Sequence, residues 1–212
     1  MAGRFLVLEG PEGAGKSTLA ASLAARLLAA GVTVVPVREP GGTPTAEAAR
    51  DALLHAEGDL PPEAELFLIL AARADLVRRV IRPALAAGHL VLADRYDLST
   101  LAYQVAGRGL DAGQVAAANA LATGGLAPDL VLVLDVPPGV GAARQVAAGK
   151  QRDRLDRESD DFHARVAKAY LAARGTTVQH LDGTRSPAEV LEQAWNLLRP
   201  WLPGVPSGPA PE

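Results

Sequence analysis

Gly10-Pro11-Glu12-Gly13-Ala14-Gly15-Lys16-Ser17, with Thr18 behind it, decides how the rest of the chain reads. It meets the pattern G-x-x-x-x-G-K-[ST] at every fixed position. The apolar run 5–8 before it has strand character, and residues 17–30 after it, rich in Ala and Leu, read as a helix. Strand, glycine turn and helix together aim backbone N–H groups and a helix N-terminus at a bound phosphate. Lys16 would bridge the outer phosphates as a compact cation, and the Ser17 hydroxyl would hold Mg²⁺. The competing explanation is a chance glycine turn. With glycine at about 7 % of ordinary sequence, four fixed positions falling by accident between a strand and a helix is improbable.

Composition supports the motif. Of 21 basic residues only Lys16, Lys150 and Lys168 are lysine. A chain so biased toward arginine still places lysine in the glycine loop, where a broad planar fork does not replace a small ammonium. The 212 residues suffice for one well-buried α/β domain and are short for two. A net charge of -3 and a pI near 5.8 leave no general basic footprint, so nucleic acid is not an expected partner. The absence of cysteine removes disulfides, thiolate catalysis and cysteine metal sites. No apolar stretch approaches the ~20 residues that span a bilayer. A strand begins within a few residues of Met1, leaving no room for a signal peptide, so a cytoplasmic protein is expected.

Apolar runs at 5–8, 33–37, 90–93, 130–134 and 177–181 alternate with helical stretches such as 64–87 and 160–173. The runs are near-continuous, as in strands covered on both faces. Gly31, Gly88 and Gly175 each follow a helix and suit a left-handed stop. The expectation is an α/β fold, a five-stranded parallel sheet flanked by helices on both faces. One domain spans 1–202, and 203–212, rich in Pro, Gly and Ser, is expected to be disordered. Ligands in such folds sit beyond the carboxyl ends of the strands. There the chain places Arg38 through Thr43, then Asp94-Arg95-Tyr96, then Asp135-Val136-Pro137. Asp94 can reach Mg²⁺ directly or through water, or else cap a helix or pair with an arginine. Arg95 can grip a phosphate with two parallel N–H bonds. Arg38 points toward the same phosphate, or pairs with Glu39 or Asp94. Thr100, Tyr103 and Gln104 are spaced to share a helix face. The four histidines show no metal spacing, and Trp195 and Trp201 read as packing anchors on the last helix.

Five stretches, EGPEGAGKST, REPGGT, AARADL, ADRYDLSTLAYQ followed by GRG, and DRLDRESDDFHARV, resemble the thymidylate kinase family of bacterial type across residues 4 to about 200. The resemblance implies ATP- and Mg²⁺-dependent phosphorylation of dTMP to dTDP by a homodimer. It assigns the dTMP phosphate to Arg95 and Arg38, and a thymine carbonyl to Arg73. Thr100 and Gln104 would meet the base and Tyr103 the sugar, excluding a ribose 2′-OH. Glu12 would orient the sugar hydroxyl or its hydration near Mg²⁺. Ile69 stands where relatives usually carry a phenylalanine that stacks on the base, a loss of ~1 kcal/mol in binding; Phe67, two positions away, points elsewhere. Glycine at position 13, where one branch has arginine, implies that the catalytic arginine comes from a short mobile lid at about 144–158. Arg144, Lys150 and Arg152 are its candidate cations, with Arg152 favoured for the γ-phosphate, while Val146 and Ala148 replace arginines of relatives. Asp182-Gly183-Thr184 resembles the adenine-side loop. Another pyrimidine monophosphate as acceptor, or a regulatory P-loop ATPase, are the alternatives; no N-K-x-D guanine motif is present.

Overall fold

All five apolar runs become parallel strands in the computed structural model, which describes residues 3–56, 58–149, 151 and 153–202. They are β1 (Arg4–Glu9), β2 (Val34–Arg38), β3 (Leu90–Asp94), β4 (Leu130–Asp135) and β5 (Val178–Asp182), in the order β2-β3-β1-β4-β5. β1 is central, with Val7 beside Ala93 on one flank and Val131 on the other. The chain therefore winds outward from β1 in both directions, and the crevice at its carboxyl end is where this topology leaves room for a ligand.

The helices are α1 (Lys16–Ala29), α2 (Pro44–His55), α3 (Pro62–Leu76), α4 (Arg82–Ala86), α5 (Asp97–Thr100), α6 (Ala112–Thr123), α7 (Pro138–Ala147), α8 (Asp160–Ala172) and α9 (Pro187–Leu198). The helix expected over 64–87 is α3 and α4 joined through a π-helical turn, Val77–Ile81. Pro83 explains the widening: its ring carries no N–H and crowds the carbonyl four residues back, so an ordinary α-turn does not fit there. A second π-helical stretch, Leu101–Gly107, continues α5.

The strands are near-continuous in apolar residues because both sheet faces are covered. Leu6 and Leu8 pack with Leu19, Leu23, Leu27 and Trp195, beneath α1 and α9. Phe5 and Val7 face the opposite way, against Val77, Ile81, Tyr96, Phe162 and Tyr170. Helix starts follow their local chemistry. Thr43 Oγ1 accepts from Ala46 N at 3.1 Å ahead of Pro44, and Ser186 and Glu189 form a reciprocal capping box. Gly31 and Gly88 do adopt left-handed φ. Gly175 does not: α8 ends at Ala172 with an extended Ala173, and Gly175 only accepts a turn bond from Val178 N. Trp195 is buried on α9 under Arg26, whereas Trp201 lies just past it in the 3-10 turn Arg199–Trp201, under Arg4. The tail 203–212 lies outside the described residues. Among those described, no helix is long and apolar enough to cross a membrane.

Leu132, fully buried in β4, fills the core between α1 and the sheet. Leu132→Ala is expected to lower unfolding free energy by about 2–5 kcal/mol through lost transfer energy and a residual cavity. Chemical denaturation measures this; a loss below about 1 kcal/mol would contradict the packing described.

Candidate active site

The loop after β1 is shaped by close backbone approaches. A Cβ on Gly10 (φ 137°) would lie 2.7 Å from the Leu134 carbonyl oxygen. A Cβ on Gly13 (φ 70°) would lie 2.1 Å from the Gly141 carbonyl oxygen, so α7 is laid directly against the loop. This explains why no arginine stands at 13 in this chain. Gly15 turns left-handed into α1, whose first turn holds no acidic residue to compete with an incoming anion. Lys16 is buried, and its Nζ donates to the carbonyls of Gly10 at 3.0 Å and Pro11 at 2.8 Å. Desolvation, aided by the nearby Arg95 charge, lowers its pKa to about 8. Ser17 Oγ donates to Asp94 Oδ2 at 2.7 Å, so the two expected metal oxygens converge from α1 and β3.

Arg95 follows β3 with φ 77°, the one non-glycine residue with positive φ among those described. Its amide is held by the Leu8 carbonyl at 2.9 Å. The turn swings the side chain back over the loop. Nη1 donates to Gly10 O at 3.1 Å, Tyr170 OH at 2.9 Å and Ser99 Oγ at 3.2 Å, and Nη2 pairs with Glu12 and reaches Tyr103 OH at 3.4 Å. Burial opposes the charge, but the Tyr103, Glu12 and Tyr170 oxygens hold the guanidinium firmly protonated.

Glu9, at the tip of β1, has no exposure to solvent. Its Oε1 accepts from the amides of Tyr96 (2.8 Å) and Ser99 (3.1 Å), and its Oε2 from Ser99 Oγ (2.6 Å) and Tyr170 OH (3.2 Å). Desolvation pushes its pKa up, and Arg95, Ser99 and the Tyr96 amide oppose that rise. The carboxylate thus fixes two of the three hydroxyls that hold Arg95, those of Ser99 and Tyr170.

A cavity of about 490 Å³ opens beside the loop, lined by Glu12, Lys16, Ser17, Arg38, Ile69, Arg73, Asp94, Arg95, Thr100, Tyr103 and Gln104 among others. Nearly all the residues expected to bind the acceptor nucleotide therefore meet in one space. Arg73 is buried and fixed: Nε donates to Glu39 Oε2 (2.6 Å), Nη1 to Thr100 Oγ1 (2.9 Å) and Asn119 Oδ1 (2.6 Å), Nη2 to Tyr96 O (2.8 Å). These four bonds leave one Nη2 N–H of the five guanidinium donors. Ile69 is buried on the wall, while Phe67 is 65 % exposed and turned away, as its helical position predicts. Thr100, Tyr103 and Gln104 share the cavity face although the helix is π-wound there. Arg38 lines the cavity too, but its ion pair is with Glu47 at 3.1 Å, not with Glu39 or Asp94.

A smaller cavity of about 290 Å³ on the other side of the loop is lined by Ala14, Gly15, Thr18, Arg144, Gly183 and Arg185 among others. Arg144 lines both cavities and donates to Gly183 O at 2.9 Å. Asp182 lines neither; its carboxylate accepts from Thr184 N (3.0 Å), Thr184 Oγ1 (2.5 Å) and Arg185 Nε (3.3 Å), shaping the loop from outside. In the expected lid, Asp153 and Asp156 exchange backbone-to-carboxylate bonds, and Arg154 donates to Leu53 O and Glu65. Lys150 and Arg152 lie outside the described residues.

Three carboxylates of this site were not singled out by sequence. Glu9 and Glu39 sit at strand ends, where a charged residue closing an apolar run is ambiguous. Glu65 interrupts the apolar stripe of α3 with no exposure at all, and that interruption is the one signal that could have marked it.

The chain matches the family model described as Thymidylate kinase over residues 8–194. It is 46 % identical over 210 residues to a Synechococcus protein named thymidylate kinase, covering 98 % of this chain and 100 % of that one. It is 50 % identical to the protein so named in Thermomicrobium roseum, over 90 % of this chain and 92 % of the relative. With that of Pseudomonas fluorescens the identity is 47 %, over 95 % and 97 %. With a phosphate loop, a second cavity beside it and likeness along nearly its whole length, the chain belongs to the thymidylate kinase family.

Proposed function

We propose that this chain transfers the γ-phosphoryl group of ATP to dTMP, giving dTDP and ADP. The observation that carries this is one shared carbonyl: Gly10 O accepts from Lys16 Nζ at 3.0 Å and from Arg95 Nη1 at 3.1 Å. The cation suited to the triphosphate and the cation suited to the acceptor phosphate therefore stand side by side. The cavity of about 490 Å³ that Arg95 lines then supplies room for a nucleoside.

The chemistry follows from charge placement. The nucleophile is a dTMP phosphate oxygen, already anionic at neutral pH, so no strong general base is needed. Lys16 and the α1 N-terminus neutralise the donor phosphates, and Arg95 holds the acceptor against them. On dTMP entry, Arg95 exchanges its Glu12 partner for the acceptor phosphate, and Glu12 turns to the sugar side. Ser17 and Asp94 fit a Mg²⁺ site. They offer two hard oxygens that converge within 2.7 Å of each other, which suits an ion that keeps waters and substrate phosphates as its other ligands. Bound there, Mg²⁺ would neutralise the β- and γ-phosphates. Arg73 and Gln104 read the base, with Ile69 as an apolar wall, and Tyr103 packs on the sugar. Segment 144–158 acts as the lid, with Arg144 as a described cation on the donor side. The assembly is read as a homodimer: Phe67 on α3 and Leu121 on α6 are 65 % and 87 % exposed on two helices that pack together.

Three outcomes test this reading. In a coupled ADP-release assay with dTMP, Lys16→Ala should lower kcat/KM at least roughly 10²–10³-fold with unchanged circular dichroism; wild-type turnover would contradict the assignment. Arg95→Met should raise the KM for dTMP much more than that for ATP; equal rises would place Arg95 elsewhere. Because the Lys16 pKa is lowered, its ammonium is complete only well below pH 8 and is lost as pH rises through about 8. The kcat/KM for ATP should therefore fall above that pH, whereas kcat holds to higher pH because bound phosphate retains the proton. A kcat/KM that stays flat to pH 10 would refute it.

A further inference from the structure

Glu65 on α3 is a fully buried carboxylate that the catalytic reading leaves unused. Four hydrogen-bonding groups converge on it. Arg108 reaches it with Nε (3.2 Å) and Nη2 (2.9 Å), Arg154 with Nη2 (2.5 Å), and Gln104 with Nε2 (2.7 Å). Burial desolvates the carboxylate, yet these bonds outweigh it and hold the pKa below the ordinary value. An ionised carboxylate only accepts hydrogen bonds. The Gln104 amide therefore has a chemically forced orientation, its NH₂ toward Glu65. Glu39 Oε1 is the only buried side-chain oxygen or nitrogen without a partner among the described residues. No hydrogen bond among the described residues engages the Gln104 side-chain oxygen, and Gln104 lines the cavity.

We propose that Glu65 is a positioning residue for base selection: it locks the Gln104 amide with its oxygen toward the base. This rests on the dTMP reading above. The cavity then presents a fixed order, a donor from Arg73 and an acceptor from Gln104. A pyrimidine with a 4-carbonyl and an N3–H offers the complementary acceptor and donor. Cytosine offers a 4-amino donor and a bare N3 acceptor, so donor meets donor and acceptor meets acceptor. A free glutamine could turn its amide over and relieve the mismatch at N3, leaving only the Arg73 donor against the 4-amino group; one held by an ionised carboxylate cannot. Arg108 and Arg154 are what keep that carboxylate ionised, and Arg154 ties the lock to the lid segment.

The test is kcat/KM for dTMP and for dCMP in wild type, Glu65→Gln, Gln104→Ala and the double variant. A neutral amide at 65 can face either end of Gln104, so the dTMP-over-dCMP ratio should fall about tenfold or more in Glu65→Gln. In the Gln104→Ala background the same change should alter the ratio by less than about twofold. An unchanged ratio in Glu65→Gln, or an equal fall with Gln104 absent, overturns the proposal. If Glu65→Gln does not fold, wild type decides by NMR: the Gln104 side-chain NH₂ signal, identified by its loss in Gln104→Ala, should be protected from exchange, and rapid exchange overturns the lock. Absence of dTMP turnover in wild type would instead overturn the functional reading, and this inference with it.

Discussion

The guanidinium of Arg95 is a largely buried charge, its side chain 13 % exposed, and the site is organised around keeping it there. A cation out of water is costly unless its hydrogens are met by oxygens of fixed position. Here Gly10 O comes from the phosphate loop, Ser99 Oγ from α5, Tyr103 OH from the π-helical stretch, Tyr170 OH from α8 and a carboxylate from Glu12. Four separate parts of the fold, the phosphate loop supplying both Gly10 and Glu12, are thereby drawn to one point at the carboxyl edge of the sheet. The left-handed turn at Arg95 is the backbone cost of that convergence, of order 1–3 kcal/mol. Glu9 supports it from beneath by fixing Ser99 and Tyr170.

On the proposed reading, a second buried arrangement carries selectivity rather than chemistry. Arg73 is held by Glu39, Thr100, Asn119 and Tyr96 O, and Gln104 by Glu65. Such networks discriminate because a mismatched ligand leaves buried donors or acceptors unpaired, and each costs about 1–3 kcal/mol. On that same reading, Ile69 gives the base an apolar wall without a stacked ring, so recognition leans on the polar edge more than on stacking. The two arrangements meet at Tyr103 and Thr100, which lie on consecutive turns of one helix running from Arg95 toward Gln104.

The sheet was legible because its strands are apolar on both faces and glycine stops, Gly31 and Gly88, close the helices that precede β2 and β3. The phosphate loop was legible because its glycines answer steric demands that no other residue meets. The cavity lining was readable in part: Arg73 of AARADL and Asp94, Arg95, Thr100, Tyr103 and Gln104 of ADRYDLSTLAYQ meet in one cavity. What sequence left hidden is pairing. Arg38 had Glu39 and Asp94 as local candidates, yet found Glu47, one helix turn into α2. Glu65 finds Gln104, Arg108 and Arg154 across separations of 39 to 89 residues, which no local pattern encodes. Gly175 misled because a glycine between helix and strand serves a turn as readily as a left-handed stop.

The account's central claim is that Lys16 and Arg95 present two phosphates to each other across the Gly10 carbonyl. A crystal structure with dTMP and a non-hydrolysable ATP analogue tests it most directly. The account predicts the dTMP phosphate on the Arg95 guanidinium, the γ-phosphate on Lys16, and Glu12 released from Arg95. An acceptor phosphate bound away from Arg95, with the Glu12 pair intact, would contradict it.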